Sequence, residues 1–221
     1  MPKVASGQPM RSAERLLQVL KCFGESKPGL SIAEISQQLD LAQSTVRRLL
    51  DTLEKHGFVK QDLSDRHYRL HYEPIRLAAA ALAGSSLVAA AGPILDETRD
   101  RLDEAVQLTV RDGADVVLLD KRASSHLIEP SRRIGHRYPT YGGSASGRVL
   151  LAWLAETELA KLLPRSGRWE QFTSRSIGDV ESLRKVLAQT RKQGHAINNQ
   201  ETTEGLWAVA APVREIGRAH V

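Results

Sequence analysis

The first third of the chain carries three amphipathic segments followed by two short extended runs, and this order restricts the fold more than any other feature. The segments are Ser12–Phe23, a short stretch that begins at Ser31, and Gln43–His56. Apolar residues recur in them at intervals of three and four, which predicts helices with one buried face. The extended runs, Phe58–Gln61 and His67–Leu70, flank a polar loop and predict a hairpin. Three helices and a hairpin within about 65 residues predict a winged helix-turn-helix.

Local signals support these boundaries. Ser31 and Glu34 have the spacing of a capping box, in which each residue satisfies a free backbone amide of the other. Gly57 follows the third segment at the position where a left-handed residue ends a helix. We therefore expect the second helix to begin at Ser31 and the third to end at Gly57.

The third helix has the chemistry of a groove-reading helix. Its polar positions fall on roughly one face, opposite an apolar face. Gln can pair with adenine and Arg with guanine, while Ser and Thr can bind bases or phosphates. Basic residues in the hairpin would meet the DNA backbone or an adjacent minor groove. The candidate DNA-binding residues are Gln43, Ser44, Thr45, Arg47, Arg48, Arg66, His67 and Arg69. The alternative is a solvated helix beside a solvated loop.

The rest of the chain predicts a connecting helix and an α+β domain. Arg76–Ala91 is rich in alanine and is interrupted near Gly84. Pro93 marks either the first residue of the next helix or a kink. A hairpin is expected around Asp112-Gly113. Further helices are expected at Ser144–Leu154, Thr157–Leu163 and Asp179–Lys192, and strands at His195–Asn198 and Ala208–Val213.

Composition excludes several classes of protein. The chain has 31 Lys and Arg against 26 Asp and Glu, a net charge of +5 that permits nucleic-acid binding. No apolar run approaches the ~18 residues of a membrane span. Cys22 is the only cysteine, so neither a disulfide framework nor a multi-cysteine zinc site is expected, and a cytoplasmic location is the simplest.

Enzymatic motifs are incomplete, and we expect no enzyme, no catalytic residue, no cofactor and no metal site. Gly142 and Gly147 have P-loop spacing, but Arg148 and Val149 stand where Lys and Ser/Thr are required. Ala145 occupies the centre of a Gly-Ser-Ala-Ser-Gly run where a nucleophile elbow needs serine.

Three stretches together resemble the IclR family of bacterial transcriptional regulators. They are Leu30–Ser36 with Ser44–Leu50 and Leu53–Val59, then Gly147–Ala152, and then Gln200–Leu206 running into Val209–Val213. The resemblance covers about Arg11 to Arg214. The Tyr141–Ala152 stretch is most similar to members that control aromatic-acid catabolism.

The resemblance implies a GAF-like effector domain and a homodimer or homotetramer on a palindromic operator of double-stranded DNA. It also implies a small organic acid as effector. By position, the effector-binding residues would be Ile128, Ala145, Ser146, Asn198 and Ala208, although the family often has an acidic residue at the position of Asn198. From the residues alone, the loop before Gly147 is either an anion site at a helix start or a tight loop capped by Ser144.

We therefore expect five segments. Residues 1–10 would be a disordered arm, 11–72 the winged helix-turn-helix, 73–86 a linker helix, and 87–214 an incomplete effector domain. Residues 215–221 can be back-translated into a sequencing adapter and would be a non-native tail. The alternative function is a small-molecule binding module whose N-terminal domain contacts protein instead of DNA.

Overall fold

The computed structural model describes residues 10–24, 27–126, 132–164, 169 and 171–214, and it divides into two compact units after Ser85. Unit 1 contains α1 (Arg11–Cys22), α2 (Ile32–Leu39), α3 (Gln43–Lys55), β1 (Val59–Gln61), β2 (Tyr68–Leu70) and α4 (Tyr72–Ala83). Unit 2 contains α5 (Ser86–Leu102), β3 (Val106–Asp112), β4 (Asp115–Arg122), β5 (Arg137–Pro139), α6 (Ala145–Ala152), α7 (Glu156–Leu162), α8 (Val180–Gln193), β6 (Ala196–Asn199) and β7 (Trp207–Ala210). The predicted α+β fold is confirmed. Residues 1–9, Ile128 and residues 215–221 lie outside the described residues.

Unit 1 is built on a small apolar core that α1, α2, α3 and the hairpin share. Val19, Ile35 and Leu50 are fully buried at its centre, and Tyr68 joins them from β2. Each buried aliphatic side chain of this size contributes roughly 1.5–3 kcal/mol to folding relative to an exposed one. Cys22 is buried at the edge of the same core, as its position beside Phe23 predicts.

The predicted capping box forms at the start of α2. The hydroxyl of Ser31 accepts a hydrogen bond from the Glu34 N–H at 3.2 Å, and the Glu34 carboxylate accepts one from the Ser31 N–H at 2.9 Å. Gly57 has φ +74°, so it ends α3 in the left-handed region as expected. The sequence signals therefore place both helix boundaries correctly.

The hairpin β1–β2 is held to the helices by backbone hydrogen bonds. Leu30 and Tyr68 exchange N–H···O bonds of 3.0 and 2.8 Å, which forms an isolated antiparallel bridge ahead of α2. The Gln61 N–H donates to the Glu54 carboxylate of α3 at 3.0 Å. These contacts fix the hairpin relative to α3, as in a winged helix-turn-helix.

The chain between the hairpin and β3 is helical and breaks near Gly84, where the sequence predicts a weak point. Among the described residues, α4 has no buried side chain. Pro93 lies inside α5, so the interpretation of Pro93 as the first helical residue is wrong. Among the described residues, no single helix is both long and apolar enough to cross a membrane. Only α4 and α5 taken together, as a bent pair, reach that length and composition.

Unit 2 contains two antiparallel sheets that α6 packs against. β3, β4 and β5 form one sheet in that order, and the predicted hairpin turns at Gly113. β5 is not predicted from the sequence. β6 and β7 form the second sheet, in which Asn198 pairs with Ala208. β7 ends at Ala210, before the predicted Val213, and Pro212 in the remaining stretch has no N–H to pair.

Candidate nucleic-acid interface and effector site

The polar face of α3 is fixed in space by the buried face opposite it. Val46 and Leu50 are fully buried and Leu53 is nearly so, which anchors the helix on the unit 1 core. The first turn carries no side-chain cap, because Ala42 stands at the N-cap, and the Thr45 N–H donates to the Ala42 carbonyl oxygen at 2.9 Å instead. The candidates on the outer face are exposed, apart from half-buried Thr45: they are Gln43, Ser44, Arg47 and Arg48.

The two arginines of α3 differ in what they contact. Nε of Arg47 donates to Oδ1 of Asp51 at 3.0 Å, one turn further along the helix. This hydrogen bond raises the pKa of the Arg47 guanidinium above its ordinary value, so the group is permanently charged. The Arg48 side chain forms no ion pair within the described part of the chain. Asp51 follows Arg47 by one helical turn, and the contact between them was not predicted.

The hairpin loop is neutralised by its own acidic residues. Arg69 donates to Asp62 at 2.9 Å and to Asp65 at 2.6 Å. The hydrogen bond from Arg69 holds the pKa of Asp65 well below its usual range, and hydrogen bonds from Ser64 lower the pKa of Asp62. Arg69 therefore stabilises the loop, and its guanidinium is already occupied by carboxylates.

Arg66 and His67 lie beside the ion pairs of Arg69, and they differ in whether their side chains have partners. Arg66 has φ +59° at the tip of the loop, and its exposed guanidinium forms no ion pair among the described residues. The ring Nδ1 of His67 lies 2.9 Å from the Asp65 carbonyl oxygen, and its Nε2 lies 3.7 Å from the Glu34 carboxylate. Of the three predicted hairpin contacts, Arg66 is the one with a free cationic group.

Tyr68 of β2 lies in the core of unit 1, and its hydroxyl interacts electrostatically with Arg47 of α3. The ring is fully buried, and burial raises the pKa of its hydroxyl, which has no hydrogen-bond partner in the described structure. Arg47 and Arg66 both act on this hydroxyl electrostatically, in the direction that lowers its pKa. Sequence reasoning did not identify Tyr68, although an aromatic residue in a three-residue strand predicts a core position.

A second candidate site surrounds the start of α6. Ser144 caps the helix by accepting a hydrogen bond from the Gly147 N–H at 3.0 Å, so the tight-loop interpretation is correct for this residue. Ala145 is buried and Ser146 is half-buried at the first turn. A Cβ at Gly147 would overlap the carbonyl oxygen of Thr140, so this position requires glycine.

The other predicted effector residues lie on the adjacent two-stranded sheet. Asn198 is buried, donates to Thr202 Oγ1 at 2.8 Å and accepts from the Glu201 N–H at 2.9 Å. Ala208 faces Asn198 across the strand pair but is exposed. The fifth candidate, Ile128, falls outside the described residues. The amide of Asn198 therefore shapes the turn after β6 in this state.

A buried ion pair links α6 to that turn. Arg148 is 2% exposed, donates through Nη1 to the Ile197 carbonyl oxygen at 2.5 Å and through Nη2 to the Glu201 carboxylate, and leaves its buried Nε unpartnered. In the sequence, Arg148 was considered individually only as the residue that stands where a P-loop requires lysine. An arginine inside an otherwise apolar helical run was the signal that could have identified it.

A cavity of about 730 Å³ opens beside this turn, and its described lining includes none of the four predicted effector residues that the structure describes. Arg175, Ser176 and the first turn of α8 form part of its wall. Ser176 also donates to the Glu201 carbonyl oxygen at 2.6 Å, so the wall and the turn after β6 are joined. The cavity and the start of α6 are thus neighbouring but separate features.

Comparisons with known proteins match both units. Residues 12–63 match the IclR helix-turn-helix domain, and residues 79–221 match the C-terminal domain of IclR bacterial transcriptional regulators. The Pca regulon regulatory protein of Pseudomonas putida is 36% identical over 211 residues, which cover 94% of this chain and 71% of the relative.

Solved structures agree with these matches. An IclR transcriptional regulator from Alicyclobacillus acidocaldarius is similar with a TM-score of 0.82 and 28% identity, over 92% of this chain and 82% of its own. An IclR homologue from Microbacterium hydrocarbonoxydans, solved in complex with 4-hydroxybenzoate, gives a TM-score of 0.73 and 26% identity, over 93% and 84% of the two chains.

Proposed function

Because the chain belongs to the IclR family of DNA-binding bacterial transcriptional regulators, which are not enzymes, we propose that it controls a catabolic operon by binding a palindromic operator through α3 and the hairpin. The observation that carries this proposal is the outer face of α3. Its exposed polar and basic side chains stand on a helix that Val46 and Leu50 anchor to the core. A helix fixed in this way is already ordered before it binds, so presenting its side chains to base edges costs little conformational entropy.

In this proposal the contacts divide between bases and backbone. Gln43, Ser44 and Arg47 near the start of α3 read bases, while Arg48 and Arg66 bind phosphates. The Gln43 and Ser44 amides at the start of α3 add a phosphate contact, since no side chain caps this turn. Arg69 and His67 act indirectly, by holding the hairpin loop in shape.

Operator symmetry requires two copies of the chain, and α4 offers a surface for the second copy. Tyr72, Ile75, Ala79 and Leu82 recur at the a and d spacing of a helical seam. Tyr72 and Ile75 are 74% and 65% exposed, which leaves this seam largely uncovered in a single chain. We therefore assign it to the α4 helix of a second protomer, which would place two α3 helices on one operator.

The proposed effector is a small organic acid, with aromatic acids as the first class to test. The IclR homologue from Microbacterium hydrocarbonoxydans supports this class, since it was solved in complex with 4-hydroxybenzoate. Ala145 and Ser146 at the start of α6, together with Asn198 and Ala208 on the adjacent strands, are the proposed contacts, and Ile128 would complete them. The acid alters operator affinity by binding two states of the regulator unequally.

The test is a gel-shift titration of the chain on DNA flanking its own gene, at two salt concentrations. It is run with and without a panel of aromatic and small aliphatic acids that includes 4-hydroxybenzoate. A sequence-specific, salt-sensitive shift that one acid alters is the expected result. Equal affinity for flanking and unrelated DNA would contradict operator recognition and favour a binding module whose N-terminal domain contacts protein.

A further inference from the structure

Arg47 contacts Asp51 through Nε of its guanidinium. The carboxylate accepts from Nε, while both terminal amino groups of the guanidinium make no hydrogen bond within the described structure. Both side chains are more than half exposed and lie on the outer face of α3. The two terminal amino groups are therefore available to donate to a base, while Nε is held by Asp51.

This arrangement suits recognition of one base. A guanine presents O6 and N7 as two acceptors in the major groove, and an arginine satisfies both only when its plane is correctly turned. A free arginine loses more rotamer entropy on binding than one whose plane is already set by a neighbour. Arg48, which has no carboxylate partner in the described structure, lacks this constraint and suits a phosphate.

We propose that Asp51 is a positioning residue that orients Arg47 toward a guanine of each operator half-site. The proposal rests on the proposed function, because it requires that α3 enter the major groove. Asp51 would thereby determine one base of the sequence without touching DNA itself.

The charge of Asp51 has a second effect that separates this role from a structural one. A carboxylate on the DNA-facing side repels phosphates, so it weakens binding to every sequence. The Asp51 carboxylate therefore lowers the affinity for random DNA while it favours the correct base. Glu54, the next acidic residue of α3, does not share this role because its carboxylate accepts the Gln61 N–H of the hairpin.

The experiment is a selection of bound sequences from a randomised DNA duplex pool with the full chain and its variants. We expect the wild-type chain to enrich a guanine at one position of each half-site. Asp51→Ala should reduce that preference by at least about fivefold and leave the other positions unchanged, while affinity for unselected DNA rises. Glu14→Ala, which removes the same charge from an exposed position on α1, is the matched control and should preserve the guanine preference.

A double-mutant comparison tests whether Asp51 acts through Arg47. Arg47→Ala should abolish the same guanine preference, and adding Asp51→Ala to it should then change nothing further at that position. Asp51→Asn, which keeps an acceptor oxygen for Nε, should retain part of the preference. The inference is overturned if Asp51→Ala leaves the guanine preference intact, or if it alters that position equally with and without Arg47. A wild-type chain that enriches no sequence would instead refute operator recognition itself, and the inference with it.

Discussion

Arg148 of α6 and Glu201 of the turn after β6 form an ion pair whose side chains are only 3% and 16% exposed. The pair joins a helix to a segment more than fifty residues further along the chain, and Arg148 also holds the Ile197 carbonyl oxygen. A buried pair of this kind is costly to break, because the partner left behind is a charge without compensation.

Replacing Arg148 with methionine should therefore destabilise unit 2 by about 3–5 kcal/mol. Urea unfolding followed by tryptophan fluorescence measures the loss. Arg184→Met is the matched control, since Arg184 pairs with Glu156 on the surface and its loss should cost below about 1 kcal/mol. Equal effects of the two substitutions would show that burial does not strengthen the Arg148 pair.

Gly147→Ala should destabilise unit 2 by about 3 kcal/mol or more, because the added methyl group overlaps the backbone of Thr140 and one of the two segments must move. Gly92→Ala serves as the control within the same unit. Gly92 lies inside α5, and its added methyl group would lie 3.6 Å from Nη2 of Arg122, an ordinary contact distance, so Gly92→Ala should stabilise by about 0.5–1 kcal/mol. Thermal unfolding of both variants distinguishes a packing clash from a general intolerance of unit 2 to substitution.

The stability of unit 1 should fall as the pH drops from about 5 to about 2. Hydrogen bonds from Lys27 and from the Ser31 N–H and hydroxyl lower the pKa of Glu34 from its usual 4.5 to about 2. A carboxylate with a lowered pKa in the folded state contributes stability above its unfolded pKa and loses it as it is protonated. Glu34→Gln should flatten this part of the pH profile measured by denaturant unfolding, and Glu14→Gln should not. A profile unchanged by Glu34→Gln would contradict the role of this capping carboxylate.

Arg66→Ala should weaken DNA binding about equally for all sequences and reduce the slope of log K against log salt by about 0.9, the value for one phosphate contact. Arg69→Ala should leave most of that slope in place, because Arg69 is paired with Asp62 and Asp65. Fluorescence anisotropy at four or five salt concentrations gives both slopes. The assignment fails if Arg69→Ala reduces the slope and Arg66→Ala does not.

Ile75→Asp should reduce self-association by more than tenfold, because it places a charge in the proposed α4 seam. Sedimentation velocity over a range of concentrations measures the change. Leu63→Asp is the control, since Leu63 is 90% exposed at the hairpin loop and away from the seam. A chain that stays associated with Ile75→Asp would place the contact between copies elsewhere.

Elements with strong local signals were predictable from the sequence. The capping residues Ser31 and Glu34, and the alternation of Val46, Leu50 and Leu53 with polar neighbours, reflect interactions within one or two helical turns, which spacing alone encodes. β5 was missed because three residues, Arg137–Pro139, are too few to display an alternating pattern. Pro93 could be interpreted only as either a helix start or a kink, because a proline pattern does not report whether packing carries a helix past it.

The candidate sites show the same division. The outer face of α3 could be derived from spacing, because all of its residues belong to one helix. The engagement of Arg69 by two aspartates depends on how the loop closes, and the pairing of Arg148 with Glu201 joins residues that no local pattern connects. From the sequence, Arg69 was expected to contact DNA and Arg148 only stood where a P-loop requires lysine, and only the fold reveals which carboxylates pair with them.

The lack of any buried side chain on α4 has a consequence for how the regulator responds to its own abundance. A twelve-residue helix with no buried residue is only marginally ordered by itself, even when it is rich in alanine. If a second protomer supplies the missing packing, the connector stiffens as the protomers meet. Protein concentration would then determine how strongly effector binding in unit 2 affects the DNA-binding unit. The coupling would be weaker when few copies of the regulator are present.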